Sequence, residues 1–114
     1  MREIDFSLDD EPAEAFFYDG TNRRIEVSFD NYYSLAENVY KSVPCRLKIS
    51  NWSSAKSKLS NDTRYKSLDA NMGIFSMILA IDVEGSTLKL FVNVLGERYV
   101  DLVFNDPVIE FDEI

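Results

Sequence analysis

The sequence contains no histidine and a single cysteine, Cys45. Histidine is the usual general base near neutral pH and the commonest metal ligand, so its absence excludes Ser-His or Cys-His nucleophile pairs within this chain. One cysteine cannot form an internal disulfide, and without a nearby base we expect Cys45 to be a small core residue of a strand. These absences favour a domain that binds over one that catalyses.

Glycine and long apolar runs are also scarce. The four glycines are scattered singly, so no glycine-rich phosphate-binding loop is present, and no acidic stretch has the spacing of a calcium loop. The apolar run at residues 77–81 is too short to cross a membrane. The first residues lack the apolar segment of a secretory signal. We therefore expect a cytoplasmic protein that binds no metal, cofactor or membrane.

Apolar residues are abundant, at 46% of 114 residues, and include eight Phe, six Tyr and one Trp. This content is enough for one hydrophobic core, so residues 1–114 are expected to form a single domain. Residues 2–8 alternate between apolar and polar, as in a half-buried strand. Aromatic and β-branched residues on both sides of Asp19-Gly20 predict a hairpin. Its core-facing side chains would be Ile25, Val27 and Phe29.

Weaker patterns separate these strands. Ser34-Leu35-Ala36-Glu37 has the spacing of a capping box, and the apolar residues around it fall on one helical stripe, so a short helix is predicted within residues 30–43. Pro44 ends it, and residues 45–49 alternate as a strand. Residues 9–14 predict an acidic loop, and the polar residues 53–72 predict a long loop with a turn of helix near its start.

The strongest pattern lies from Gly73 onward. Alternating apolar residues at 75–83, 88–94 and 100–104, separated by turns, predict a β-meander, and a last strand begins at Val108. Four apolar residues are out of phase, which indicates partial cover on the second face of the sheet: Ile78, Phe91, Leu95 and Val103. The predicted fold is mostly β (α+β). It is an antiparallel β-meander that forms a curled sheet or a two-layer sandwich, with one short helix.

The net charge of −8 is unevenly distributed. Residues 1–40 carry ten acids and three bases, residues 41–66 carry one acid and seven bases, and residues 67–114 carry nine acids and two bases. A pI near 4.4 argues against free nucleic acid as a partner, because affinity for nucleic acid comes mainly from neutralised phosphates. An acidic face for a basic protein and a surface of mutually complementary charges both fit this distribution.

Carboxylate pairs are the remaining enzyme candidates, for instance Asp82 with Glu84, or Asp101 with Asp106. Catalysis by such a pair needs one carboxyl kept neutral in an apolar pocket, whereas Asp82 and Glu84 lie beside a predicted turn where water reaches both. With 20 acids in the chain, close pairs are expected by chance. We expect no enzymatic activity.

Three segments followed by the meander carry a family resemblance: Phe17-Tyr18-Asp19-Gly20, Arg24-Ile25-Glu26-Val27 and Leu47-Lys48-Ile49-Ser50-Asn51-Trp52. The pattern is similar to small immunity proteins of bacterial polymorphic-toxin and contact-dependent inhibition systems. The resemblance implies a β-rich domain that neutralises a toxin by covering it, with no active-site residues of its own. A basic nuclease would suit the charge of −8, although the basic band at residues 41–66 departs from that picture.

The resulting hypothesis is a non-enzymatic protein-binding domain whose acids steer a basic partner and whose aromatic residues anchor it. The predicted steering residues are Asp9, Asp10, Glu11, Asp30, Asp82 and Glu84, and the predicted anchors are Trp52 and Tyr33. The alternative is a small-ligand or carbohydrate-binding β-domain that uses Trp52 and nearby tyrosines. A subunit of a larger assembly is a further interpretation. The partner, the binding face, the strand order and the oligomeric state stay open.

Overall fold

A computed structural model describes residues 4–114 of the chain. These residues form twelve strands and one short helix. The strands are β1 (Phe6–Ser7), β2 (Glu11–Asp19), β3 (Arg24–Phe29), β4 (Tyr32–Ser34), β5 (Val39–Lys41), β6 (Cys45–Ser50), β7 (Ser54–Leu59), β8 (Lys66–Ser67), β9 (Phe75–Glu84), β10 (Thr87–Val94), β11 (Arg98–Asn105) and β12 (Val108–Glu113), and the helix is α1 (Leu68–Asn71). Of the predicted strand at residues 2–8, the first two residues lie outside the described part.

The strands form two antiparallel sheets. The larger sheet has the order β12-β6-β3-β2-β9-β10-β11-β7-β8, and the smaller has the order β1-β4-β5. Strand β2 joins two halves of the larger sheet, because it pairs with β3 from Ala13 onward and with β9 only through Glu11 and Pro12. We call β12-β6-β3-β2 the first layer and β9-β10-β11-β7-β8 the second layer.

One hydrophobic core lies between the two layers. The ring of Phe16 in the first layer lies 4.6 Å from that of Phe75 in the second. Side chains of β3 and β6 join those of β10 and β11 in a single buried cluster. Each large apolar side chain buried there contributes roughly 1.5–3 kcal/mol relative to exposure. The mostly β fold with a curled sheet is therefore confirmed.

The β2–β3 hairpin forms where Asp19-Gly20 predicted it. The Asp19 carboxylate accepts hydrogen bonds from the backbone N–H of Asn22 (3.1 Å) and from its side-chain amide (2.6 Å). Arg23 then takes a left-handed conformation, with a φ of 52°, and leads into β3. All three predicted core residues of β3 are buried: Ile25, Val27 and Phe29.

The predicted helix within residues 30–43 is wrong, because this segment forms the β4–β5 hairpin. The Ser34 hydroxyl does accept a hydrogen bond from the backbone N–H of Glu37 (3.1 Å), as in a helix cap. However, Asn38 then takes a φ of 57°, which ends the turn and reverses the chain. The single helix of the described residues lies instead at α1, and no described helix is long and apolar enough to cross a membrane.

The two predicted loops also contain strands. Residues 9–14 include the start of β2, where Pro12 lies opposite Met77 of β9 and pairing with β3 begins only at Ala13. Residues 53–72 contain β7, β8 and α1, so the predicted helical turn near residue 53 is wrong. Ser57 of β7 is fully buried and donates a hydrogen bond to the Ser67 carbonyl oxygen (2.7 Å), so polar contacts hold this segment.

The meander is present in β9, β10 and β11, with two changes from the prediction. Strand β9 has two irregularities in its pairing with β10, and each one changes which set of alternate residues faces the core. Ile78, which was predicted to face away from the core, is therefore fully buried. The last strand, β12, leaves the meander and pairs with β6 in the first layer. Of the other residues predicted to lie on a partly covered second face, Val103 is buried, in agreement with that prediction, whereas Leu95 is 58% exposed.

Candidate functional site

Carboxylates and exposed apolar side chains are concentrated on one surface, formed by the β4–β5 hairpin, the start of β2 and the end of β12. We call it the acidic hairpin surface. Its carboxylates are Asp5, Asp9, Asp10, Glu11, Glu14, Asp30, Glu37, Asp112 and Glu113, and its aromatic and aliphatic side chains are Tyr33, Leu35, Val39 and Tyr40.

Hydrogen bonds fix the hairpin against β2. The Tyr40 hydroxyl donates to a carboxylate oxygen of Glu11 (2.5 Å), which raises the pKa of Tyr40. Tyr33 lies opposite Tyr40 in the register of the hairpin, and its hydroxyl donates to the side chain of Asn38. Because cross-strand partners point to the same face, Tyr33 and Tyr40 lie side by side.

Two open depressions border the hairpin, each of about 320 Å³. The first is lined by four carboxylates, those of Asp5, Glu37, Asp112 and Glu113, and by one base, Lys41, whose ammonium lies 3.0 Å from the Glu37 carboxylate. The second is lined by Asp9 and by apolar side chains that include Leu35. A basic side chain entering the first depression would meet four carboxylates, and one entering the second would meet Asp9 beside an apolar wall.

The carboxylates are close enough to perturb one another. A hydrogen bond with Asp30, together with the charge of Asp30, raises the pKa of Glu14. Partial burial, followed by the charge of Asp10, raises the pKa of Asp9. Burial raises the pKa of the Cys45 thiol to about 11, and the charges of Glu11, Glu113 and Asp30 add to this effect. The surface therefore carries a concentrated negative potential.

Five of the predicted binding residues come together here. Asp9, Asp10 and Glu11 lie at the start of β2, next to the hairpin, and Asp30 lies beside Glu14. Tyr33 is on the hairpin itself. The structure thus assembles residues from two separate segments of the sequence.

The structure places Asp82 and Glu84 on a different surface. Both lie on the outer face of β9, where Asp82 is opposite Lys89 in the register. The ammonium of Lys89 is 3.4 Å from the Glu84 carboxylate. A neighbouring base therefore partly compensates these two acids, unlike most acids of the acidic hairpin surface.

Trp52 is not an exposed anchor, which corrects the prediction for this residue. Its side chain is 4% exposed, and its ring lies 5.0 Å from the ring of Phe104 in the second layer. Arg23 donates hydrogen bonds to the carbonyl oxygens of Trp52 (2.7 Å) and Ser53 (3.0 Å), which fixes the chain where it passes between layers. The alternative of a carbohydrate-binding domain therefore loses Trp52 as an aromatic contact.

The basic band at residues 41–66 is divided between the two layers. In β6, Arg46 lies on the outer face of the first layer and is 3.7 Å from Glu26. In β7, Lys58 lies on the outer face of the second layer, 3.4 Å from Asp101. The band is therefore split between the two layers, and Lys41 is its member that lines the carboxylate-rich depression of the acidic hairpin surface.

Comparison of the chain with protein-family models, with curated proteins and with solved structures finds no match. A function therefore has to be inferred from the chain's own surface.

Three exposed side chains of the site were missed by sequence reasoning: Leu35 (52% exposed), Val39 (43%) and Tyr40 (53%). The helical pattern placed them on a buried stripe. The residue that could have indicated a hairpin turn in place of a helix is Asn38, because asparagine is one of the few residues that readily take the left-handed conformation that such a turn requires.

The surface suits binding of cationic groups more than it suits bond-making chemistry. Among residues 4–114, no three potential ligand side chains converge in a way that could hold a metal ion. Another depression of about 340 Å³ lies on the outer face of the first layer, beside Phe17. Its charges are already paired, because Glu26 contacts both Arg24 and Arg46. The acidic hairpin surface has the larger uncompensated charge.

Proposed function

We propose that this domain is a non-enzymatic protein-binding domain that engages a basic partner through the acidic hairpin surface. The observation that carries the proposal is the clustering of carboxylates around exposed Leu35, Val39 and Tyr40, with Lys41 as the one base lining the carboxylate-rich depression. Negative potential accelerates encounter with a basic protein, and exposed aromatic and aliphatic side chains supply the contacts that keep it bound.

The more specific form of the proposal is an immunity protein that acts in the cytoplasm and neutralises a basic toxin by occlusion. The resemblance in strand and turn pattern supports this form, as does the concentration of carboxylates around exposed apolar side chains. Occlusion needs an interface of roughly 800 Å² on each partner. The total accessible surface is 6351 Å², which accommodates such an interface together with its polar rim.

The steering role can be tested with two double variants of equal charge change. Asp9→Lys/Asp10→Lys alters the acidic hairpin surface, whereas Asp82→Lys/Glu84→Lys alters the outer face of β9. A partner captured with the tagged protein at low salt is purified, and its association rate with each variant is measured. We expect the first variant to lower the rate by about tenfold or more and the second to change it little.

Raising the salt concentration should reduce the wild-type association rate towards that of the first variant, because salt screens exposed charges. Equal rates for wild type and the Asp9/Asp10 variant would exclude steering by this surface. The immunity hypothesis adds a requirement of its own: the captured partner must be toxic, and one equivalent of the domain must abolish its activity. If the captured partner is not toxic, the immunity hypothesis is excluded and only the more general proposal of a protein-binding domain stands.

The anchoring role is tested separately with Tyr40→Ala and Leu35→Ser. Both side chains are more than half exposed, so the fold should be retained while the dissociation rate of the partner rises. Tyr99→Ala is a matched control, because Tyr99 is similarly exposed (49%) but lies on the second layer. Equal effects of Tyr40→Ala and Tyr99→Ala would mean that the hairpin is not the anchor.

A further inference from the structure

Strand β12 is a long edge of the larger sheet. It pairs with β6 over six consecutive residues, from Val108 opposite Ser50 to Glu113 opposite Cys45, with no irregularity in the register. Among the described residues, no strand pairs with its other side. An edge strand presents backbone N–H and C=O groups that can pair with a further strand. Pro107 precedes β12, and no proline or bulge interrupts it.

The core holds β12 rigidly in place. The ring of Phe111 stacks on that of Phe6 at 4.0 Å and meets the ring of Tyr32 edge-on at 4.9 Å. The backbone N–H of Ile114 donates to the carbonyl oxygen of Pro44 (2.9 Å), which fixes the end of the strand. A fixed edge loses little conformational freedom when another strand is added, which favours binding.

The exposed carboxylates of β12 have no ion-pair partner among residues 4–114, and Val108 at the start of the strand is exposed as well. Glu110 and Asp112 alternate along the outer face, and neither carboxylate has a basic group within 4.0 Å in the described part of the chain. Lys48 lies opposite Glu110 and Arg46 lies opposite Asp112 in the register, but neither base is within 4.0 Å of these carboxylates, and the guanidinium of Arg46 contacts Glu26 instead. The edge therefore offers backbone hydrogen bonds together with carboxylates that form no ion pair among the described residues.

This charge decides which strand can be added. Two copies of the domain paired through β12 would bring Glu110 and Asp112 of one copy close to those of the other, and like charges on adjacent strands destabilise the pairing. A strand with Lys or Arg at alternate positions would meet both the backbone groups and the carboxylates. We propose that β12 accepts an extended basic segment of a partner protein as an additional strand.

This inference deepens the proposed function and rests on its assignment of a basic protein partner, but it concerns a different element from the hairpin. It can be tested without the natural partner. The probes are three synthetic peptides of roughly eight residues, the length of an ordinary strand. One alternates Lys with Thr and Val, one has Glu in place of Lys, and one repeats the Lys peptide with alternate backbone nitrogens methylated.

Each peptide is added to the full 114-residue chain, and amide hydrogen exchange is followed residue by residue by NMR. We expect the Lys peptide to slow exchange of β12 amides by about tenfold or more, because newly hydrogen-bonded amides exchange only on opening. The Glu peptide and the methylated Lys peptide should give no protection. In Glu110→Lys/Asp112→Lys the preference should reverse in favour of the Glu peptide, whereas Asp82→Lys/Glu84→Lys should behave as wild type.

Equal protection by the methylated peptide would overturn strand addition, since charge attraction alone would then explain binding. If the amides of β12 became protected without peptide as the protein concentration was raised, a second copy of the domain, and not a basic segment, would be the occupant of this edge. Protection confined to the amides of β4, β5 and the start of β2 would overturn the β12 site while supporting the proposed function. Absence of binding to any peptide would also overturn the β12 site, and the proposed function would still be decided by the variants at Asp9 and Asp10.

Discussion

Replacement of Trp52 by alanine is the most direct test of the two-layer core. Trp52 is 4% exposed and packs against Phe104 of the opposite layer, so the substitution leaves a cavity between the layers. Large-to-alanine substitutions at such aromatic positions cost about 3–5 kcal/mol. Domains of this size are stable by only about 5–15 kcal/mol, so the loss is a large part of the total.

The expected fall in melting temperature is about 10–25 °C, from roughly 3–5 °C per kcal/mol for a chain of this length. Urea denaturation should be followed by far-UV circular dichroism, because Trp52 is the only tryptophan and its fluorescence is lost in the variant. Trp52→Phe retains an aromatic ring against Phe104 and should show an intermediate loss, which keeps the measurement possible if the alanine variant does not fold.

Tyr40→Ala is the control for this experiment. Its side chain is 53% exposed and makes one hydrogen bond to Glu11, so the expected loss is below about 1 kcal/mol. A Trp52→Ala variant within about 1 kcal/mol of wild type would refute the buried position of Trp52, since burial of a large ring predicts a several-fold larger loss. It would return this residue to the group of exposed anchors.

Three further substitutions test the interior and the turns. Asp30→Asn should raise the melting temperature at pH 7, because contact with Asp30 raises the pKa of Glu14 in the folded state and destabilises the fold as the pH rises through that pKa. The gain in melting temperature should disappear below the ordinary glutamate pKa of 4.5. Calorimetry at pH 7 and below pH 4.5 measures both values. A gain that persisted at low pH would contradict this cause. Ser57→Ala should lower the free energy of unfolding by roughly 1–3 kcal/mol in urea denaturation, because the buried amide of Asn71 loses its acceptor (3.1 Å); an unchanged midpoint would show that this hydrogen bond contributes nothing. Glu97→Gly should stabilise by up to about 1 kcal/mol, since Glu97 has a φ of 60°, while Glu97→Ala should not, and equal effects would exclude backbone strain as the reason.

Local patterns were sufficient for the strands that face the core on one side. In β3 and β10 a buried apolar residue recurs at every second position, with Phe91 as an additional apolar residue on the opposite face of β10, and turn residues mark both ends. The same signal failed for β4 and β5, because the apolar residues of 32–40 fit a helical stripe as well as two short strands. The left-handed conformation of Asn38 decides between them.

Polar interactions account for the other misses. Strand β7 was hidden because Ser57, its most buried residue, is held by hydrogen bonds, which leave no apolar pattern in the sequence. The acidic hairpin surface was only partly predictable because it combines distant segments. Asp9, Asp10 and Glu11 are neighbours in sequence, whereas Glu113 reaches the surface through the long-range pairing of β12 with β6.

That long-range pairing also sets an order for folding. Strands β9, β10 and β11 pair with sequence neighbours and can form early, whereas β12 is synthesised after every other described strand and must return to β6. Until β12 pairs with β6, the edge of β6 is open, and Phe6 and Tyr32 lack their contacts with the ring of Phe111. The incompletely folded chain therefore exposes an aggregation-prone apolar surface at this edge. Pulse-labelled hydrogen exchange should therefore find the amides of β12 protected later than those of β9, β10 and β11, and early refolding should be the stage most prone to aggregation.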